Sequence, residues 1–197
     1  MLAAAGRPPN VSGIGLDRTG MRLNEKGGPM HDPRSLICEG APILIAGDAN
    51  ADRPVLHEAS RQGRIAGRNA ARLARGEGAE RPGRWVALAM VFSDPQIAVI
   101  GGGFDPEAGH RVGRADFCDQ GRAQVMDRAQ GGIRLYAEAD GRLAAAELIG
   151  PDVEHLGHLL AYAVQDGLDV RSLRDRPFYH PTLEEGLETA LSDLADR

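Results

Sequence analysis

Cysteine is scarce and poorly placed for pairing: Cys38 and Cys118 stand eighty positions apart in a chain of 197 residues. They make no C-x-x-C pair, no zinc quartet and no disulfide framework. A reducing cytoplasm is therefore the expected setting, and no metal site is expected. No run of 18 apolar residues occurs, which argues against a membrane-spanning helix. The N-terminus lacks the charged-then-apolar pattern of a signal peptide. An excess of basic charge is missing too. With 28 acidic residues against 23 basic, the net charge is −5, so the electrostatic footprint of phosphate-backbone binding is absent and nucleic acid is not an expected partner. What remains is an ordinary globular composition, 42% hydrophobic and 26% charged. A chain of this length can bury roughly 70% of its unfolded surface, so a real core is possible.

The first forty residues are rich in Gly and Pro and weak in periodicity. Pro8 and Pro9 lack a backbone N–H, Gly6 tolerates positive φ, and Gly27-Gly28-Pro29 signals another turn. This stretch reads as a connector with no core of its own. Residues 42–47, Pro-Ile-Leu-Ile-Ala-Gly, have the profile of a strand buried on both faces. From Val55 to Leu73 the pattern is helical, with Ala59, Gly63, Ala66, Gly67 and Ala70 as a small-residue face that suits close approach to a backbone or a flat ligand. Residues 76–84 read as a linker, which places 1–77 and 84–197 in different domains.

Beyond the linker, Trp85–Phe92 and Ile97–Ile100 are β-prone runs around the turn Ser93-Asp94-Pro95. Asp105–His110 is predicted as one helical turn and Arg114–Cys118 as a strand. Ile133–Glu138 and Leu143–Ile149 flank Asp140-Gly141, a strong hairpin signal. A helix is predicted after Pro151, with Val153, Leu156, Leu159, Leu160, Ala163 and Val164 on one face. A last helix is predicted over Leu183–Ala195. The class is α+β: an antiparallel sheet with helices on one side, preceded by a partial α/β segment.

Few residues offer chemistry. Gly101-Gly102-Gly103 fails as a phosphate loop, because position 106 is Pro and no long helix follows; a strand-end bulge is the better account. His155 and His158 share a helical face but lack a third metal ligand, so they read as solvated or interface side chains. His180-Pro181-Thr182-Leu183-Glu184-Glu185 is more informative. Pro181 biases His180 to an extended backbone just ahead of a helix, which projects the imidazole from a stub and suits a proton carrier near neutral pH. Glu185 either orients that ring or serves Thr182-x-x-Glu185 as a capping box. Spacing favours the cap and leaves both readings open.

Four segments, in order, resemble the flavoprotein disulfide reductases related to dihydrolipoamide dehydrogenase, glutathione reductase and mercuric reductase. They are Gly6-Arg7-Pro8-Pro9-Asn10 with Gly15-Leu16; Ile45-Ala46-Gly47-Asp48 with His57-Glu58-Ala59 and Gly63; Val91-Phe92-Ser93-Asp94-Pro95-Gln96-Ile97-Ala98; and His180-Pro181-Thr182 with Glu185. The resemblance implies that residues 1–77 are a remnant of nicotinamide- and FAD-binding domains, and that 84–197 is the C-terminal dimerisation domain. It implies that Gly47, Asp48, His57 and Ala59 line an FAD site, with Asp48 on a hydroxyl of the ribityl chain and the backbone near His57 and Ala59 beside the ring. It also implies that His180 is the acid–base of a homodimer, reaching a partner's active site with Glu185 fixing its ring.

Members of that family carry two G-x-G-x-x-G fingerprints and a C-x-x-x-x-C pair, none of which occurs in these 197 residues. The chain alone is therefore expected to be inert and to bind neither FAD nor NAD(P). Phe178 stands where many dihydrolipoamide dehydrogenases carry an earlier His, so the small disulfide substrate stays open. The alternative is a stand-alone dimerisation or binding module without catalysis.

Overall fold

In the computed structural model, which describes residues 1–195, the chain divides into two units, Met1–Arg84 and Trp85–Arg197. The first has little regular structure before helix α1 (Leu56–Ala74). Residues 42–47 do not form the predicted buried strand. Leu44 makes an isolated bridge with Ile37, Ile43 is 37% exposed, and the run passes into a 3₁₀ turn at Gly47–Asn50. An apolar run becomes a central strand only where strands lie on both sides of it, and among the described residues this unit has none.

Helix α1 turns the other way from the predicted small-residue face. Gly63, Gly67 and Ala70 are exposed, and the buried face carries Glu58, Gln62, Ile65 and Asn69 at spacings of four, three and four. The reason lies in what the helix covers. Its partner surface is irregular backbone, whose N–H and C=O groups need partners once buried. Gln62 Oε1 accepts from the Gly47 N–H at 2.7 Å and from Asn50 Nδ2 at 2.8 Å. Asn69 Nδ2 donates to the carbonyls of Ser35 (2.9 Å) and Glu80 (3.0 Å), and its Oδ1 accepts from the Glu80 N–H at 2.8 Å. The stretch predicted as a linker is thus a strap along α1. Arg72 Nε holds the Gly78 carbonyl at 2.7 Å, and Arg61 and Arg34 hold those of Gly83 and Arg81.

The second unit has the predicted class: one antiparallel sheet with helices. Strands β1 (Leu88–Val91), β2 (Gln96–Ile100), β3 (Arg111–Asp116), β4 (Gly132–Ala137) and β5 (Leu143–Gly150) run in the order β1-β2-β5-β4-β3. Alternation decides which face is covered: Ala98, Ile100, Ile133, Leu135, Ala146 and Leu148 point into one core. The helices are α2 (Gly121–Val125), α3 (Val153–Gln165), α4 (Val170–Arg174) and α5 (Glu185–Ala195). Helix α3 lies over β1, β2 and β5, and α5 over β3 and β4.

The Asp140-Gly141 hairpin joins β4 to β5 as predicted, with Gly141 at φ 94°. The glycine run after β2 forms a turn rather than a bulge. Gly101 takes φ 70° and sits so close to the Ala144 carbonyl that no Cβ fits. Strand β3 begins earlier than predicted, because its ladder with β4 starts at Arg111↔Ala137. Residues 105–110 form turns instead of a helical turn, with Asp105 Oδ1 accepting from the Glu107 N–H at 2.9 Å. Helices α2 and α4 were not predicted. Each is a five-residue turn set by a cap, Gln120 to the Ala123 N–H and Asp169 to the Ser172 N–H, and such a length carries no periodicity.

Candidate functional site

The turn ahead of α5 carries the most developed polar geometry of the second unit. The His180–Pro181 peptide is cis, and the His180 side chain is 80% exposed. Glu185, the first residue of α5, divides its carboxylate. Oε1 lies 2.8 Å from His180 Nδ1, and Oε2 accepts from the Thr182 N–H at 2.9 Å. Each oxygen thus makes one of the two contacts that the sequence left open, one to the ring and one to the turn. The cap is half of a capping box, because Thr182 Oγ1 donates to the Tyr179 carbonyl at 2.7 Å instead of accepting from Glu185. The hydrogen bond from His180 first, then that from the Thr182 N–H, holds the Glu185 carboxyl below the usual carboxylate range. With Nδ1 engaged, Nε2 is the ring nitrogen left to exchange a proton. Sequence reasoning missed Gln120, whose amide donates to the Thr182 carbonyl across 62 positions; no local signal could have found it.

In the first unit Gly47 and Ala59 are close neighbours, since a Cβ on Gly47 would lie 3.3 Å from that of Ala59. Asp48 follows at the head of the 3₁₀ turn, 3.5 Å from Arg7 Nη2 and 58% exposed. Arg7 also donates to the Pro54 carbonyl at 3.2 Å, a role its place in the Gly6–Asn10 motif did not reveal. His57 is exposed in the first turn of α1, whose N-terminus has no side-chain cap.

The other candidates stay apart from these groups. His155 is largely exposed, and His158 Nδ1 lies 2.7 Å from the Glu154 carbonyl oxygen. Among the described residues no cluster of three His, Cys, Asp or Glu could hold a metal ion, and no helix is long and apolar enough to cross a membrane. Burial pushes the Cys38 thiol up. Loss of solvent, then the charges of Asp119 and Asp116, push Cys118 up as well. Neither is poised as a thiolate near neutral pH.

The predicted apolar stripe of α3 needs correction. Val153, Leu156, Gly157, Leu160, Ala161 and Ala163 are buried beneath the helix, whereas Leu159 is 48% exposed and stands on the outer side with Tyr162. Those two, with Phe178 and Tyr179, line a groove of about 650 Å³ beside the His180 turn.

Fold and site together define a class: an α+β domain that presents a hydrogen-bonded imidazole from a turn ahead of its last helix. The pyridine nucleotide-disulphide oxidoreductase dimerisation domain matches residues 88–191, more than half of the chain, and the chain belongs to that family. Dihydrolipoyl dehydrogenase of Haloferax volcanii is 30% identical over 200 residues, 96% of this chain and 40% of that protein. Mercuric reductase of Shigella flexneri is 29% identical over 197 residues, 96% of this chain and 34% of that protein. Among solved structures, LpdA of Mycobacterium tuberculosis superposes with a TM-score of 0.74 at 26% identity, covering 93% of this chain and 40% of the other. The HOCl-induced flavoprotein disulfide reductase RclA of Escherichia coli shares the fold, with a TM-score of 0.76 at 24% identity over 96% of this chain and 44% of its own. The chain thus spans about 40% of the length of the first of these relatives.

Proposed function

We propose that this chain supplies the dimer interface and the acid–base pair of a cytoplasmic, FAD-dependent pyridine nucleotide-disulphide oxidoreductase resembling dihydrolipoyl dehydrogenase. The observation that carries the reading is the 2.8 Å contact between His180 Nδ1 and Glu185 Oε1. In the Nδ1–H tautomer the ring donates to Glu185 and leaves the Nε2 lone pair outward. Nε2 takes a proton from an incoming thiol. In the opposite direction it returns that proton to the sulfur that leaves when a small disulfide opens. Glu185 keeps the tautomer and steadies the imidazolium.

Residues 1–77 are read as the part that meets FAD and the nicotinamide, NAD or NADP. FAD, when bound, supplies the relay of an electron pair between nicotinamide and disulfide. Asp48 is chemically suited to accept from a ribityl hydroxyl, because its carboxylate is exposed. The first-turn N–H groups of α1 around His57, free of a side-chain cap, suit an electron-rich edge of the flavin ring. Gly47 and Ala59 keep that corner small.

The exposed groove with Leu159, Tyr162 and Tyr179 supports a second copy of the chain as partner, since such apolar faces mark interaction surfaces. A dimeric mass at micromolar concentration is expected, and a strictly monomeric one counts against it. The 197 residues alone are read as inert and colourless. A flavin spectrum after adding FAD, or measurable NAD(P)H-dependent disulfide reduction, would overturn that. The test of the pair is His180→Gln in the flavin-loaded enzyme that carries this domain. Turnover is expected to fall roughly a hundredfold or more with the flavin spectrum unchanged, and unaltered turnover would reduce the pair to a helix cap.

A further inference from the structure

We infer that Gln120 is a positioning residue for His180, clamping the Thr182 peptide from which the imidazole turn is hung. The inference rests on His180 as proton carrier and goes beyond it by naming what holds the ring in place.

The His180 ring, 80% exposed, cannot fix its own geometry through one solvent-screened contact, because the imidazole keeps its rotational freedom. The backbone beneath has to be held, and Thr182 is held through both of its flanking peptide groups. Its N–H donates to Glu185 Oε2 at 2.9 Å, and its carbonyl accepts from Gln120 Nε2. Gln120 is itself anchored. Its Oε1 accepts from the Ala123 N–H at 2.7 Å, its own N–H donates to the Phe117 carbonyl at 3.2 Å, and its Cγ lies against Gly186 of α5. At 8% exposure it is the one side chain among the described residues of this unit that is both buried and polar, apart from Tyr136. A buried amide with both ends hydrogen-bonded makes a rigid polar link within the core. One end caps α2 and the other reaches the turn that carries the imidazole.

The two ends can be separated by substitution. Gln120→Glu keeps an oxygen for the Ala123 N–H but sets a second acceptor against the Thr182 carbonyl, so the cap survives and the clamp is lost. Gln120→Met removes both without burying a charge, and serves where Gln120→Glu does not fold. The measurement is the ring tautomer of His180 in the 197-residue chain, read from long-range ¹H–¹⁵N spectra. Backbone amide spectra of α5 and the sheet report that the fold is intact.

The unsubstituted chain is expected to hold the Nδ1–H form, Glu185→Ala to lose it, and the Gln120 variants to lose it with α5 and sheet amides in place. A Gln120 variant that keeps the Nδ1–H signature overturns the clamp while leaving the His180–Glu185 pair standing. An unsubstituted chain without that signature overturns the pair itself, which separates the two failures. A capping role alone would shift the α2 amides and leave the ring nitrogens unmoved.

Discussion

In residues 1–84 the face that α1 buries carries Glu58, Gln62 and Asn69, and the buried apolar side chains among the described residues are Met21, Leu36, Cys38 and Ile65. In the sheet unit the buried faces carry Ile100, Phe117, Leu135, Leu148, Leu156 and their neighbours, with the Gln120 amide and the Tyr136 hydroxyl as polar exceptions. One chain therefore uses two ways of holding itself together. Where the backbone pairs with itself in a sheet, its polar groups are satisfied and side chains are free to be apolar. Where it stays irregular, buried side chains must supply the partners. Polar side chains beneath a helix thus mark what the helix covers and need not signal a defect.

The strongest way to break this contrast is in the apolar unit. Phe117→Ala opens a cavity against Gly150 and Gly186 and is expected to cost about 3–5 kcal/mol, read as faster hydrogen exchange in β4 and β5. Less than about 1 kcal/mol would mean that this core collapses around the gap. Asn69→Leu is the converse experiment in the first unit. It adds apolar surface of similar size but strands Glu80 N–H and the carbonyls of Ser35 and Glu80. A loss of about 1–3 kcal/mol is expected, with proteolysis opening at residues 77–84. A gain in stability would show that burial, and not hydrogen bonding, holds α1. Gly141→Ala tests the locally encoded hairpin: at φ 94° an L side chain is strained, and about 1–2 kcal/mol should be lost, visible in a lowered Tm.

The smallest effect concerns Glu185. Its folded carboxyl titrates lower than an unfolded one, so its contribution is fully present above the unfolded carboxylate value of about 4.3 and disappears as pH falls through the lower folded value. The Thr182 amide resonance should accordingly shift with a midpoint under the ordinary glutamate range. A midpoint at or above that range would mean that His180 and Thr182 do not share this carboxylate.

The sequence by itself determined the parts of this protein that local chemistry decides. Alternating apolar runs with Asp140-Gly141 at their junction specify β4 and β5, and Val153, Leu156 and Leu160 recur at helical spacing to specify α3. His180-Pro181-Thr182 with Glu185 marks the candidate site, because those residues lie within one turn of each other. Only the tertiary structure decided the rest. Residues 42–47 make only an isolated bridge, Leu44 with Ile37, because a strand exists only through its neighbours. Leu159 faces outward because the sheet covers a narrower stripe of α3 than its composition offers. Gln120 meets Thr182 only because α2 and the α5 turn are folded side by side. A hydrogen bond across 62 positions leaves no trace in spacing or periodicity, since neither residue's local pattern depends on the other.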